Sequence, residues 1–246
     1  MKIAWTIAVK DIREAFRNKY IYLYIGILLF ISFPYFQSIR SSLTNLEDQG
    51  AGRAAMITSI QTYLKSVISM LPLTLSMLFC TYLSAYAIVL EKAKRTLESL
   101  LATPASLRQV WMGKSLAVAL PSIVVTYLVL VLLVLVSNFI IIIPKLNTFV
   151  LPGILPIITG VIVVPLVTFT VVCIVSIFQL TMSNPRLANM FFMIVFFAFY
   201  FMSATGFSSS WDLSLIYLVI LAGLIIITLV ALRFLTKERV VLSSKG

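Results

Sequence analysis

Few side chains of this chain could carry catalytic chemistry. The 246 residues include no histidine and only eight carboxylates. Without histidine, Ser-His and Cys-His mechanisms are excluded, together with most zinc sites. The two cysteines, Cys80 and Cys173, lie in apolar runs, where a small buried thiol is expected rather than a disulfide or a reactive thiolate. The sequence therefore argues against an enzyme and against a metal or cofactor bound by this chain.

The composition is that of an integral membrane protein. Hydrophobic residues make up 61% of the chain and charged residues 11%, whereas a soluble domain has about 25% charged residues. The net charge of +11 comes from basic residues that separate apolar runs. This arrangement is typical of membrane proteins, in which basic residues set the orientation. It does not form the basic patch of a nucleic-acid-binding protein, so no nucleic-acid partner is expected.

Charge-free runs define the expected architecture. A membrane helix needs about 20 mainly apolar residues, and six runs are that long or longer. The runs show no alternation of apolar and polar residues, which excludes a barrel. We therefore predict a single all-α transmembrane domain over 1–246. Its six transmembrane helices are expected at about 20–39, 66–90, 111–142, 153–181, 188–206 and 214–235.

The charge-free run 146–185 could hold either one long helix or a helical hairpin. With one helix, 15 basic residues fall on the cytoplasmic side and 4 on the outer side; with a hairpin, the numbers are 10 and 9. The positive-inside rule favours one helix, bent at Pro156 or Pro165, with both termini in the cytoplasm. The outer segments are then short loops at about 40–64, 143–151 and 207–213.

Residues 1–18 precede the first apolar run and predict an interfacial amphipathic helix. Trp5, Ile12 and Phe16 recur at helical spacing, and Arg13 and Arg17 lie mostly on the other side. Such a helix lies in the membrane surface, with its rings in the acyl boundary and its charges among anionic head groups. It could be a simple anchor, or an elbow that also contacts a cytoplasmic partner.

The stretch 91–114 predicts two short helices with a break between them. Thr96 can cap the first helix and Pro104 ends it. Ser106 and Gln109 form a capping box for the second helix, which continues into the third span. In the first helix, an apolar stripe with charged neighbours is formed by Leu97, Leu100 and Leu101.

This leucine stripe has two interpretations. An apolar stripe with a charged rim is a protein contact surface, which indicates docking to a cytoplasmic partner. Alternatively, the stripe lies on the bilayer surface and has only a structural role.

The stretch resembles the membrane permeases of ABC-2 type ATP-binding cassette exporters. It has the family's order of Glu, basic residues, Thr-Leu-Glu-x-Leu-Leu-x-Thr-Pro and then Gly-Lys, and weaker similarities lie at 183–189 and 203–206. It departs from the family at 93–95, where Ala-Lys-Arg replaces the usual acidic residue and glycine, and at 207–214, which is short for the family's re-entrant helices. The resemblance implies that the stretch is a coupling helix that contacts the ATP-binding subunit through Glu91, Arg95, Thr96, Leu97, Glu98, Leu100, Leu101 and Pro104.

The same resemblance implies the assembly. Two permeases, either identical or homologous, would stand on two copies of an ATP-binding subunit in the plasma membrane of a prokaryote, surrounded by membrane lipid. The chain has no G-x-x-x-x-G-K-[ST] loop, so ATP and magnesium would bind the partner subunit. Closure of the ATP-binding subunits would move the coupling helices and open an export pathway.

Among the alternatives, a mechanotransmission subunit and a secondary transporter make different demands on the sequence. A mechanotransmission subunit would share the coupling helix but would be expected to carry a large external domain, for which the outer segments are too short. A secondary transporter usually places charged residues inside its spans, and none lies in the middle of a predicted span here. Asn138 and Gln179 are the polar span residues most costly to bury, and they are candidates for a pathway or a dimer contact.

Overall fold

The computed structural model describes residues 2–50, 52–94, 96, 105–204, 213–233, 235–236 and 240. The described residues are almost entirely helical and contain no strand, as the sequence predicts. We number the helices in chain order. They are α1 (Lys2–Arg17), α2 (Tyr20–Asp48), α3 (Arg53–Ala93), α4 (Leu107–Leu146), α5 (Ile154–Thr181), α6 (Pro185–Ala204) and α7 (Leu213–Leu232).

The long helices are those of a membrane-embedded protein. Helices α2, α3, α4 and α5 are each long and apolar enough to cross a membrane, and α6 and α7 contribute shorter apolar segments. The start of α4 lies at the same end of the bundle as the end of α3, because Lys114 of α4 contacts Glu91 of α3. We call this end, which also carries α1, the α1 end.

The segment predicted as an outer loop at 40–64 is mostly helical, which corrects that prediction. Helix α2 continues to Asp48 and α3 starts at Arg53. Charged residues end an apolar run but do not end a helix, because a helix outside the membrane tolerates them. Helix α2 is followed by Gly50, whose φ of +68° is a left-handed conformation that favours glycine after the end of a helix.

The ambiguous run at 146–185 holds one continuous helix, α5, and no hairpin. Helix α5 has a π-helical segment at Thr159–Val163, which ends two residues before Pro165. Helix α4 has the same arrangement at Asn138–Ile142, before Pro144. A proline removes one backbone donor and its ring crowds the carbonyl four residues earlier. A π segment at that place widens the turn and relieves the crowding.

Helix α3 is at the centre of the bundle and α2 is at its periphery. Of the residues in the most apolar 18-residue stretch of each helix, 67% are buried in α3 but only 17% in α2. Helix α3 packs against α2, α4, α5 and α6. Buried hydroxyls link neighbouring helices: Ser76 and Thr168 are 3.1 Å apart, and Ser115 and Ser176 are 2.7 Å apart. Interhelical hydrogen bonds of this kind are common in membrane proteins.

Candidate functional site

The start of α4 is fixed by the predicted capping box. The Ser106 hydroxyl accepts a hydrogen bond from the Gln109 backbone N–H at 3.3 Å, and the Gln109 side chain accepts one from the Ser106 N–H at 3.0 Å. The box satisfies two backbone donors that an uncapped helix would leave without partners. Lys114 then lies two turns into α4, facing the inside of the bundle at the α1 end.

Lys114 is the centre of a buried ion cluster with Asp11 and Glu91. Its Nζ atom lies 2.7 Å from Asp11 Oδ2 and 2.5 Å from Glu91 Oε2. The exposed fractions are 1% for Lys114, 5% for Asp11 and 21% for Glu91. The cluster joins three segments of the chain: α1, the end of α3 and the start of α4.

The ion cluster is electrostatically unbalanced, because two carboxylates share one ammonium group. Burial raises the pKa of Asp11 above its ordinary value, and the attraction of Lys114 opposes this only in part. The negative charge of nearby Glu91 raises the pKa of Asp11 further. Lys114 is therefore the main group that favours the charged form of Asp11 in the folded chain, with a smaller contribution from Lys10.

Small residues bring α1 close enough for this contact. Ala4, Ala8 and Ala15 form a buried face of α1 together with Asp11. On α4, a Cβ atom at Gly113 would lie 2.8 Å from the backbone oxygen of Ala4. Only glycine fits there, so this close approach sets the depth of α1 against α4.

The predicted interfacial residues lie on two other faces of α1. Trp5 is 55% exposed, and Ile12 and Phe16 are half-buried beside the packed face, with Phe16 touching the core. Arg13 and Arg17 are exposed on the polar face. The helix is therefore amphipathic, and its packed face is formed mainly by alanines with Phe16 at the edge, while Trp5 is exposed.

A second lysine, Lys92, connects the end of α3 to the end of α5. Its Nζ atom donates to the carbonyls of Gln179 at 3.2 Å, Leu180 at 3.3 Å and Met182 at 2.5 Å. Carbonyls at a helix C-terminus have no partners within the helix and carry partial negative charge. Through these hydrogen bonds Lys92 holds the end of α3 against the end of α5.

Gln179 and Asn138, the predicted candidates for a pathway or a dimer contact, have hydrogen-bond partners within the chain. Both are fully buried within the chain. Gln179 donates to the Asn189 side chain, which also accepts from Ser84 at 2.8 Å. Asn138 bonds the carbonyl of Val134 at 3.0 Å and accepts from the backbone N–H of Val150 at 2.9 Å, which holds the loop after α4.

Two of the predicted coupling residues lie within the described part of the chain. Glu91 belongs to the ion cluster, and Thr96 is exposed and donates to the carbonyl of Glu91 at 3.1 Å. Both line a cavity of about 460 Å³ between α1 and the end of α3. The other six predicted coupling residues, Arg95, Leu97, Glu98, Leu100, Leu101 and Pro104, lie outside the described residues.

Sequence reasoning did not identify Asp11, Lys92 or Lys114 as partners in buried contacts. One signal was present. Asp11 is the charged residue on a face otherwise made of alanine, at 4, 8, 11 and 15. A carboxylate on the packed face of a helix requires a cation on the neighbouring element. No such pattern distinguishes Lys114 or Lys92 from other basic residues at the ends of apolar runs.

Among the described residues, no three His, Cys, Asp or Glu side chains form a group that could hold a metal ion. Comparison with protein-family models, with curated proteins and with solved structures finds no match to this chain.

Proposed function

We propose that this chain is the transmembrane subunit of an ABC exporter of the ABC-2 type. In this proposal α6 and α7 complete six spans, the α1 end faces the cytoplasm, and residues 95–104 form the coupling helix. Two permeases would stand on two copies of a separate ATP-binding subunit. That subunit would bind ATP and magnesium, and the two permeases together would form the export pathway.

The ion cluster is the observation that supports the proposal best. Residues 95–104 lie between Glu91 and Lys114, and these two side chains are in direct contact. The helices on either side of the segment are therefore joined to each other and, through Asp11, to α1. A force applied to the segment would reach α1, α3 and α4 together. This is the mechanical arrangement that a subunit driven by a separate ATPase requires.

The connection also extends to the other half of the bundle. Lys92 lies next to Glu91 and holds the C-terminal carbonyls of α5. Movement of the segment before residue 95 would therefore also displace α5, which contacts α6 and α7. A change at the α1 end could in this way reach every long helix of the chain.

The proposal is tested by purifying the tagged chain from its native membranes and photolabelling the preparation with 8-azido-ATP. We expect the wild-type chain to bring down a labelled ATP-binding subunit. The double substitution Leu100→Asp and Leu101→Asp should reduce labelling at least about tenfold, because two desolvated carboxylates would disrupt an apolar contact.

The matched control is the double substitution Ser59→Asp and Gln61→Asp, on the exposed part of α3 at the other end of the bundle. It should leave labelling unchanged. Equal membrane yields for all variants would establish that insertion is intact. Full labelling in the leucine variant, or no labelled subunit with the wild-type chain, would contradict the proposal.

A further inference from the structure

The polar face of α1 forms one wall of a groove whose other wall is Tyr86 of α3. The groove has a volume of about 690 Å³ and is lined by Lys10, Arg13, Glu14, Arg17 and Tyr86 among others. We call it the α1 groove. It adjoins the cavity beside the ion cluster, since Lys10, Glu14 and Tyr86 line both, but neither Lys114 nor Glu91 lines the groove.

The α1 groove carries an excess of positive charge. Lys10, Arg13 and Arg17 are spaced three and four residues apart, so they lie along one face of the helix. Glu14 is the one carboxylate in the lining, which leaves a net charge of +2. Within the described residues none of these four side chains forms an ion pair. Their charges are available to a ligand.

The α1 groove also lies at the expected depth of phospholipid head groups. Arg17 is followed within three residues by Tyr20, the first residue of the apolar helix α2. Tyr20 and Tyr22 are 67% and 65% exposed, and Trp5 of α1 is 55% exposed. Exposed tyrosine and tryptophan side chains at the end of an apolar helix mark the membrane–water interface.

We infer that the α1 groove binds the phosphate of an anionic phospholipid. Arg13 and Arg17 would hold the phosphate through charge-assisted hydrogen bonds, and Lys10 would contribute a third positive charge. The Tyr86 hydroxyl would donate from the opposite wall. Glu14 cannot contact the phosphate but can accept a hydrogen bond from a head-group hydroxyl. This combination suits phosphatidylglycerol, which carries one phosphate and two hydroxyls.

The test measures retained lipid by native mass spectrometry. The full chain is purified in mixed micelles with equal amounts of phosphatidylglycerol and phosphatidylcholine that have the same acyl chains. We expect the wild-type chain to retain phosphatidylglycerol in preference. The double substitution Arg13→Gln and Arg17→Gln should weaken this retention by about thirtyfold, from the usual contribution of a basic residue near anionic lipid.

Two further variants keep the result interpretable. Arg40→Gln with Lys65→Gln removes the same charge from α2 and α3 outside the groove, and it should change retention less than about twofold. Tyr86→Phe removes only the hydroxyl of the opposite wall and should weaken retention about threefold. If the arginine variant fails to fold, Tyr86→Phe still tests the inference. Unchanged retention of phosphatidylglycerol in Tyr86→Phe would then overturn it.

Other outcomes also overturn the inference. Equal losses in the arginine variant and in the Arg40 and Lys65 control would show a general charge effect. Loss of phosphatidylglycerol from the wild-type chain on adding excess inorganic phosphate would identify a free-phosphate site. Because no ATP-binding subunit is present, the result is independent of the proposed coupling function.

Discussion

Both ends of the helical bundle carry an ion pair between distant segments, but the two pairs have different surroundings. At the α1 end, Lys114 is 1% exposed and contacts two carboxylates. At the opposite end, Lys145 lies 2.5 Å from Glu47, and the two side chains are 31% and 58% exposed. The distances are alike, so burial and not geometry distinguishes the two contacts.

Burial changes what an ion pair does for a membrane protein. An exposed pair remains hydrated and contributes little, because water screens the attraction. A buried pair has lost its hydration, so removal of one partner leaves an uncompensated charge. In the ion cluster at the α1 end, Lys114 is therefore the counter-charge on which both carboxylates depend. The exposed Glu47–Lys145 pair is expected to contribute little to the stability of the fold.

The largest difference is expected from matched lysine substitutions. Lys114→Met should lower the free energy of unfolding by about 3–5 kcal/mol, because Asp11 and Glu91 would lose their counter-charge. Lys145→Met should lower it by less than about 1 kcal/mol. Unfolding in mixed micelles of increasing denaturing-detergent content measures both values. Equal effects of the two substitutions would contradict the distinction between the two ends.

A smaller difference is expected from matched glycine substitutions. Gly113→Ala should destabilise the chain by about 1–3 kcal/mol, because its Cβ atom would meet Ala4 of α1 at 2.8 Å. Gly26 in α2 has open space around it. Gly26→Ala should therefore be neutral or stabilising by up to about 1 kcal/mol. The same unfolding experiment compares them. A neutral Gly113→Ala would show that α1 can move away from α4 at no cost.

The smallest effect is expected from Asp11→Asn, despite its position in the ion cluster. The raised pKa means that ionised Asp11 costs more in the folded chain than in the unfolded one. At pH 7 the variant should therefore be as stable as the wild type, or more stable by less than about 1 kcal/mol. Glu91 still pairs with Lys114, and the asparagine oxygen can accept a hydrogen bond.

The pH dependence of this variant has a defined sign. As the pH falls through the raised pKa of Asp11 toward its ordinary value of 3.8, wild-type Asp11 takes up a proton in the folded chain first. The wild type then gains stability relative to Asp11→Asn, and the difference between them closes. Unfolding at pH 7 and at mildly acidic pH measures this. If Asp11→Asn lost as much stability at pH 7 as Lys114→Met does, the prediction for Asp11→Asn would be contradicted.

The helical membrane fold followed directly from the sequence. Long charge-free runs in a chain with few charged residues leave helices as the one way to satisfy the backbone in lipid. The run at 146–185 was assigned to a single helix from the distribution of basic residues, and α5 has that form. The capping box of Ser106 and Gln109 was also predicted, because it depends on residues only three positions apart.

Contacts between distant segments were not predicted. Asp11 and Lys114 are separated by 103 positions, and no local pattern states which lysine neutralises which carboxylate. Gln179 and Asn138 were assigned to a pathway or a dimer contact because burying an amide is costly. Their partners within the same chain became evident only from the packing of α3, α5 and α6 and from the loop after α4.

The sequence by itself determined that this protein is a bundle of apolar helices with basic segments between them, since transfer of side chains and backbone into lipid depends on composition along the chain. The tertiary structure decided which charges are buried and which remain in water. That outcome depends on how closely α1, α3 and α4 approach one another, and the approach is set by small residues such as Gly113 and Ala4 at the contact.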